Sequence, residues 1–97
     1  MRILLCCNAG MSSSILVSKI KAAAEKRGEE VTVQAVASSA VKEEVGKWDC
    51  CLVGPQLIFA VDTVKAQLNI PVASIEPRVY AMADGDAALD FAKKIVG

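Results

Sequence analysis

The residues able to do chemistry are concentrated in one stretch, Cys7-Asn8-Ala9-Gly10-Met11-Ser12-Ser13-Ser14, which follows the apolar run Ile3-Leu4-Leu5 and precedes an amphipathic segment beginning at Ile15. A cysteine that ends a strand, followed by small and hydroxyl residues that open a helix, lies beside unpaired backbone N–H groups and the positive end of that helix. Such a place favours the thiolate and suits a phosphate held next to sulfur or bonded to it. Cys7 is therefore the candidate nucleophile. Asn8, Ala9, Gly10, Met11, Ser12, Ser13 and Ser14 are the candidate phosphate-binding residues. Gly10 lets the backbone approach a ligand closely and reach a positive φ. The serines add hydroxyl donors, and one of them caps the helix. Met11 either packs on the sheet edge or stands exposed toward a partner.

What the stretch lacks narrows its chemistry. It contains no arginine, and the whole chain of 97 residues contains no histidine. Hydrolysis of a phosphocysteine calls for a cation on the equatorial oxygens and a base to activate water. No carboxylate lies in the loop, and Asp84, in a later loop, is the one able to approach. A cradle of amides and hydroxyls binds phosphate and keeps a phosphocysteine intact, which describes a carrier better than a phosphatase.

The remaining cysteines read as packing. Cys6 points to the opposite face of its strand from Cys7, because strand side chains alternate. A disulfide between the two adjacent residues would be strained, which weakens a redox reading. Cys50 and Cys51 sit within an apolar strand, and two adjacent pairs fit neither zinc ligation nor a CxxC redox motif. No metal or cofactor is implied.

Residues 2–7 form a short apolar run of the kind that makes a parallel strand buried on both faces. Over residues 13–27 the apolar positions Ile15, Leu16, Ile20, Ala23 and Ala24 recur at helical spacing, and Gly28 stops the helix. Residues 31–36 alternate apolar with polar and predict a second strand at an edge. Ser38 and Ser39 are expected to cap a short helix ending at Val45. A third strand covers residues 50–53 and stops at Gly54-Pro55, and Pro55 suits the start of a helix over 56–68. A fourth strand is expected over 71–75, then a connecting loop from Pro77 through Tyr80 to Gly85, then an amphipathic helix over 87–96.

This alternation predicts an α/β fold, a flavodoxin-like open four-stranded parallel sheet in the order 2-1-3-4 with helices on both faces, formed by residues 1–97 as a single domain. Ligands of such sheets bind beyond the carboxyl ends of the strands, where strand order switches. The loops after Cys7 and at Gly54-Pro55-Gln56 should therefore face each other across one crevice. Met11, Gln56 and Tyr80 are expected on its rim as partner contacts.

A formal net charge of zero gives no bulk attraction to nucleic acid or anionic lipid. The apolar runs fall far short of the roughly 20 residues needed to span a bilayer, and no leader pattern opens the chain, so a cytoplasmic protein without direct membrane insertion is expected.

The Cys-Asn-Ala-Gly-Met-Ser-Ser-Ser stretch after its short strand resembles the phosphorylation loop of IIB subunits of the bacterial sugar phosphotransferase system, in the lactose/cellobiose (chitobiose) family. Leu52-Val53-Gly54-Pro55-Gln56 resembles that family's apolar-Gly-Pro-Gln segment, and residues 80–85 resemble its Tyr-x-x-x-Asp-Gly element. The resemblance covers most of the chain. It implies that Cys7 receives phosphate from a phosphohistidine of the IIA protein and passes it to a sugar held in the membrane permease IIC, a β-linked disaccharide such as cellobiose, chitobiose or lactose. The alternative, a low-molecular-weight protein tyrosine phosphatase, needs the pattern Cys-x5-Arg, and the arginine position is Ser13 here.

Overall fold

The computed structural model describes residues 1–7 and 13–96, without the side chain of Ser13. Four short runs rich in Ile, Leu, Val, Cys and Ala form the sheet: β1 (Arg2–Cys7), β2 (Thr32–Ala37), β3 (Cys50–Val53) and β4 (Val72–Ser74). All pairings are parallel and the order is β2-β1-β3-β4, as the sequence predicts. The two central strands are buried at every residue except Arg2. Their side chains meet helices on both faces, which is why they read as unbroken apolar runs. β2 leaves Thr32 and Gln34 exposed, the polar alternation of an edge strand.

The alternation of β1 divides the core in two. Ile3 and Leu5 pack with Leu52, with Leu16, Ile20, Ala23 and Ala24 of α1 (Ser13–Lys26), and with Ala88, Leu89 and Ala92 of α4 (Gly85–Val96). Leu4 and Cys6 face the other way, onto Cys51, Val53, Val41 and Trp48, and onto Val64 and Leu68 of α2 (Val61–Leu68). Trp48 is buried with its indole N–H satisfied, donating to Glu44 Oε1 at 2.9 Å. Among the described residues no helix is long and apolar enough to cross a membrane.

Several local expectations need correction. Ile15 lies off the buried stripe of α1 and is exposed, because the stripe follows Leu16, Ile20, Ala23 and Ala24, and Ile15 falls on the neighbouring outer row with Lys19. Ser38 and Ser39 do not cap a helix. β2 leads straight into a 3-10 segment, Ser38–Glu44, so the cap position falls on Ala37, which has the extended backbone of a cap but no side-chain oxygen. The single helix expected over 56–68 is two pieces, a 3-10 segment (Pro55–Ala60) and α2, with Leu57 at φ −112° and ψ 25° between helical residues. The tight exit from β3 sets this, since Leu57 N–H donates to Gly54 C=O at 2.9 Å, a three-residue step. The expected loop after β4 contains α3 (Pro77–Ala81), begun by Pro77 with its helical φ. β4 is shorter than residues 71–75, and α4 starts at Gly85 rather than at residue 87.

Candidate functional site

Cys7 is the last residue of β1 and is 2% exposed. It follows Ile3 and Leu5 in the strand's alternation, whereas Cys6 belongs to the core on the α2 side. The Cys7 thiol donates a weak hydrogen bond to Val36 C=O of the edge strand, with Sγ 3.9 Å from the oxygen. Asn8, Ala9, Gly10, Met11 and Ser12 lie outside the described residues, as does the side chain of Ser13. Ser13 opens α1, and Ser14 follows it exposed in the first turn. In sequence the cysteine stands between the end of a central strand and the start of a 14-residue helix.

The end of β3 comes up beside it. Gly54 N–H donates to Cys6 C=O at 2.9 Å and so extends the ladder one step past the strand. A methyl group at position 54 would lie 3.8 Å from Cys7 Cβ and 3.8 Å from Cys6 C=O, so the two strand ends are in van der Waals contact. The exposed Gln56 side chain turns back over this point, its Oε1 2.7 Å from where that methyl would sit. Gly54 thus meets the end of β1 at the strand-order switch, while the loop after Cys7, expected to face Gly54-Pro55-Gln56 across a crevice, lies outside the described residues.

Tyr80 and Asp84 both make contacts within the fold. Tyr80, on α3, is half-buried against the core shared by α1 and α4. Asp84 does not turn to the cysteine, because its Oδ1 accepts the Ala87 N–H at 3.1 Å and caps α4. Just before it, Ala83 takes a left-handed φ of 50°, and just after it Gly85 permits α4 to meet α1. A Cβ at position 85 would lie 2.2 Å from Lys19 C=O, an overlap that only glycine avoids. Asp84 and Gly85 of the Tyr-x-x-x-Asp-Gly element thus set the start of α4 and its approach to α1. Sequence reasoning missed Ile58 and Phe59, 63% and 78% exposed directly after the buried Leu57. The signal was present in Leu57-Ile58-Phe59, since three consecutive apolar residues cannot all face one core from a helical turn.

The other thiols have no access to solvent. Burial, and then the neighbouring Cys7, push Cys6 up to about 11. Burial, and then Asp49, push Cys50 up to about 11. Burial raises Cys51 as well. All four cysteines are free thiols. Cys6 cannot reach around its own strand to resolve an oxidised Cys7, which removes support for the redox reading.

Residues 2–91 match the family described as "PTS system, Lactose/Cellobiose specific IIB subunit". The chain is 40% identical to the oligo-beta-mannoside-specific EIIB component of Bacillus subtilis (strain 168), over 98% of this chain and 95% of that one. It is 33% identical to the cellobiose-specific EIIB component of Lactococcus lactis subsp. lactis, over 97% and 94%. Among solved structures, the cellobiose-specific IIB component of Borrelia burgdorferi superposes with a TM-score of 0.81 at 31% identity, covering 99% of this chain and 91% of that one. The lactose-specific IIB domain of Streptococcus pneumoniae shares the fold with a TM-score of 0.83 at 19% identity, covering 98% and 96%. A phosphatase is not favoured by these likenesses.

Proposed function

The chain belongs to the lactose/cellobiose-specific IIB subunit family of the phosphotransferase system, and on that premise we propose that Cys7 is the phosphoryl-carrying residue of a single-domain phosphocarrier formed by residues 1–97. The observation that carries this reading is the position of Cys7 at the strand-order switch, at the end of β1, with Gly54 of the neighbouring strand against its Cβ. The chain contains no histidine, so a phosphohistidine donor would belong to another protein. The donor is a phosphohistidine of the IIA protein. Cys7 Sγ attacks phosphorus in line, the S–P bond forms as the P–N bond breaks, and the leaving nitrogen regains the proton that the thiol gave up. Backbone N–H groups from Asn8 to Ser14 and the serine hydroxyls hold the three oxygens.

The second transfer passes the group to a sugar bound in the permease IIC, a β-linked disaccharide such as cellobiose, chitobiose or lactose. The carrier works in the cytoplasm without inserting into the membrane, with Met11, Gln56 and Tyr80 as its candidate partner contacts. Incubation of the protein with phosphorylated IIA, followed by intact mass and peptide mapping, should give one phosphate on Cys7 of the wild type and none on Cys7→Ala. Phosphate retained by Cys7→Ala would overturn the assignment.

A further inference from the structure

Gly54 poses a question that its backbone does not answer. Its φ of −58° and ψ of 148° are open to any L-residue, and are the values that a following proline favours. The methyl of an alanine would sit at ordinary van der Waals distance, 3.8 Å, from both Cys6 C=O and Cys7 Cβ. Only Gln56 Oε1, at 2.7 Å, stands in its way. The space that glycine leaves open is therefore the space the Gln56 carboxamide uses, and that space is in contact with the nucleophilic residue.

From this we propose that Gln56 is a ligand of the phosphoryl group on Cys7, seated there because position 54 has no side chain; the inference rests on the phosphocarrier reading above. A carboxamide carries two N–H donors and no charge, and a half-turn of its end brings those donors to the place where Oε1 lies. It can bond a phosphoryl oxygen and so favour the phosphocysteine. It supplies none of the cationic stabilisation that would speed attack by water. A neutral ligand of this kind suits a group that must be held and then handed on. The role is distinct from a docking contact: a residue that only contacts the donor changes the rate of transfer in both directions equally, whereas a ligand of the phosphoryl group changes where the equilibrium lies.

The test uses full-length wild type, Gln56→Ala, Gly54→Ala and the double variant, each equilibrated with phosphorylated IIA. The phosphoryl distribution is read by intact mass and the phosphocysteine by its 31P chemical shift. Loss of one hydrogen bond to a charged group should lower the ratio of phosphocysteine to phosphohistidine about tenfold in Gln56→Ala and move the 31P resonance. Gly54→Ala should do the same with an unchanged or higher melting temperature, since only a flexible side-chain end has to move. The double variant should lose no more than either single one, because both substitutions remove the same contact. Wild-type protein that is phosphorylated on Cys7, with Gln56→Ala matching it in final ratio and 31P shift, would overturn the inference and leave the carrier reading standing. Additive losses in the double variant would overturn the link to position 54. A wild type that takes no phosphate on Cys7 would fail the carrier reading and this inference with it.

Discussion

Gly54 and Gly85 both sit in short motifs at the ends of helical segments, and a side chain at either would meet an atom closer than 3 Å, yet the atoms met are of different kinds. At Gly85 the obstacle is the backbone of Lys19, in the middle of α1, which cannot give way without moving a helix. At Gly54 it is the last atom of a flexible, exposed side chain. One glycine lets two helices pack, and the other leaves open the space that one amide uses. Close approach alone therefore does not mark a functional position; what must move to relieve it does.

The largest expected effect is on the structural side of this pair. Gly85→Ala should destabilise the protein by about 3 kcal/mol in urea unfolding, at the upper end of overpacking costs, because no rotamer relieves a Cβ against a carbonyl. Gly54→Ala should instead leave stability unchanged or raise it by up to about 1 kcal/mol, as alanine restricts the unfolded chain at a compatible φ and ψ. Equal destabilisation at the two sites would break the comparison.

The cysteines repeat the contrast and give a pH test. Cys6 and Cys50 each hold their proton up to about 11 in the folded protein, because burial penalises the thiolate. Their folded values lie above the unfolded value, so the stability they contribute is fully present below pH 9.0 and is lost as the pH rises to about 11. The loss should approach about 2 kcal/mol per thiol at the top of that window. Cys50→Ala should flatten the decline in urea midpoint between those pH values, and an unchanged slope would show that the thiol ionises freely in the fold.

The smallest effect belongs to the cap of α4. Asp84→Ala should cost about 1 kcal/mol, the usual value of a lost helix cap, without changing phosphorylation of Cys7. A large loss of phosphoryl transfer with intact stability would return Asp84 to the site and erase the division between the two motifs.

The strands were legible because their signals are composition and period. Ile3 to Cys7 and Cys50 to Val53 are apolar without interruption, and Thr32 and Gln34 mark β2 as the edge, which suffices for the order 2-1-3-4. The meeting of Cys7 with Gly54 followed from that order alone. The sequence hid short-range backbone choices. The three-residue step at Leu57 depends on how β3 must turn, and the cap of the Ser38–Glu44 segment falls on Ala37 because β2 leads into that segment with no linker. Asp84 looked free to approach the cysteine from its motif position, but its Oδ1 is spent on a backbone N–H. Nothing in the order of residues says that α4 presses on α1 at Lys19.

The central claim is that Cys7 alone among the four thiols carries the phosphoryl group. Its most direct test is site-mapped intact mass after incubation with phosphorylated IIA, comparing wild type, Cys7→Ala and a variant with Cys6, Cys50 and Cys51 all replaced by alanine. The account predicts a single phosphate on the wild type, a single phosphate at Cys7 on whatever fraction of the triple variant folds, and none on Cys7→Ala. Phosphate on Cys7→Ala, or a folded triple variant that takes up none, would contradict it.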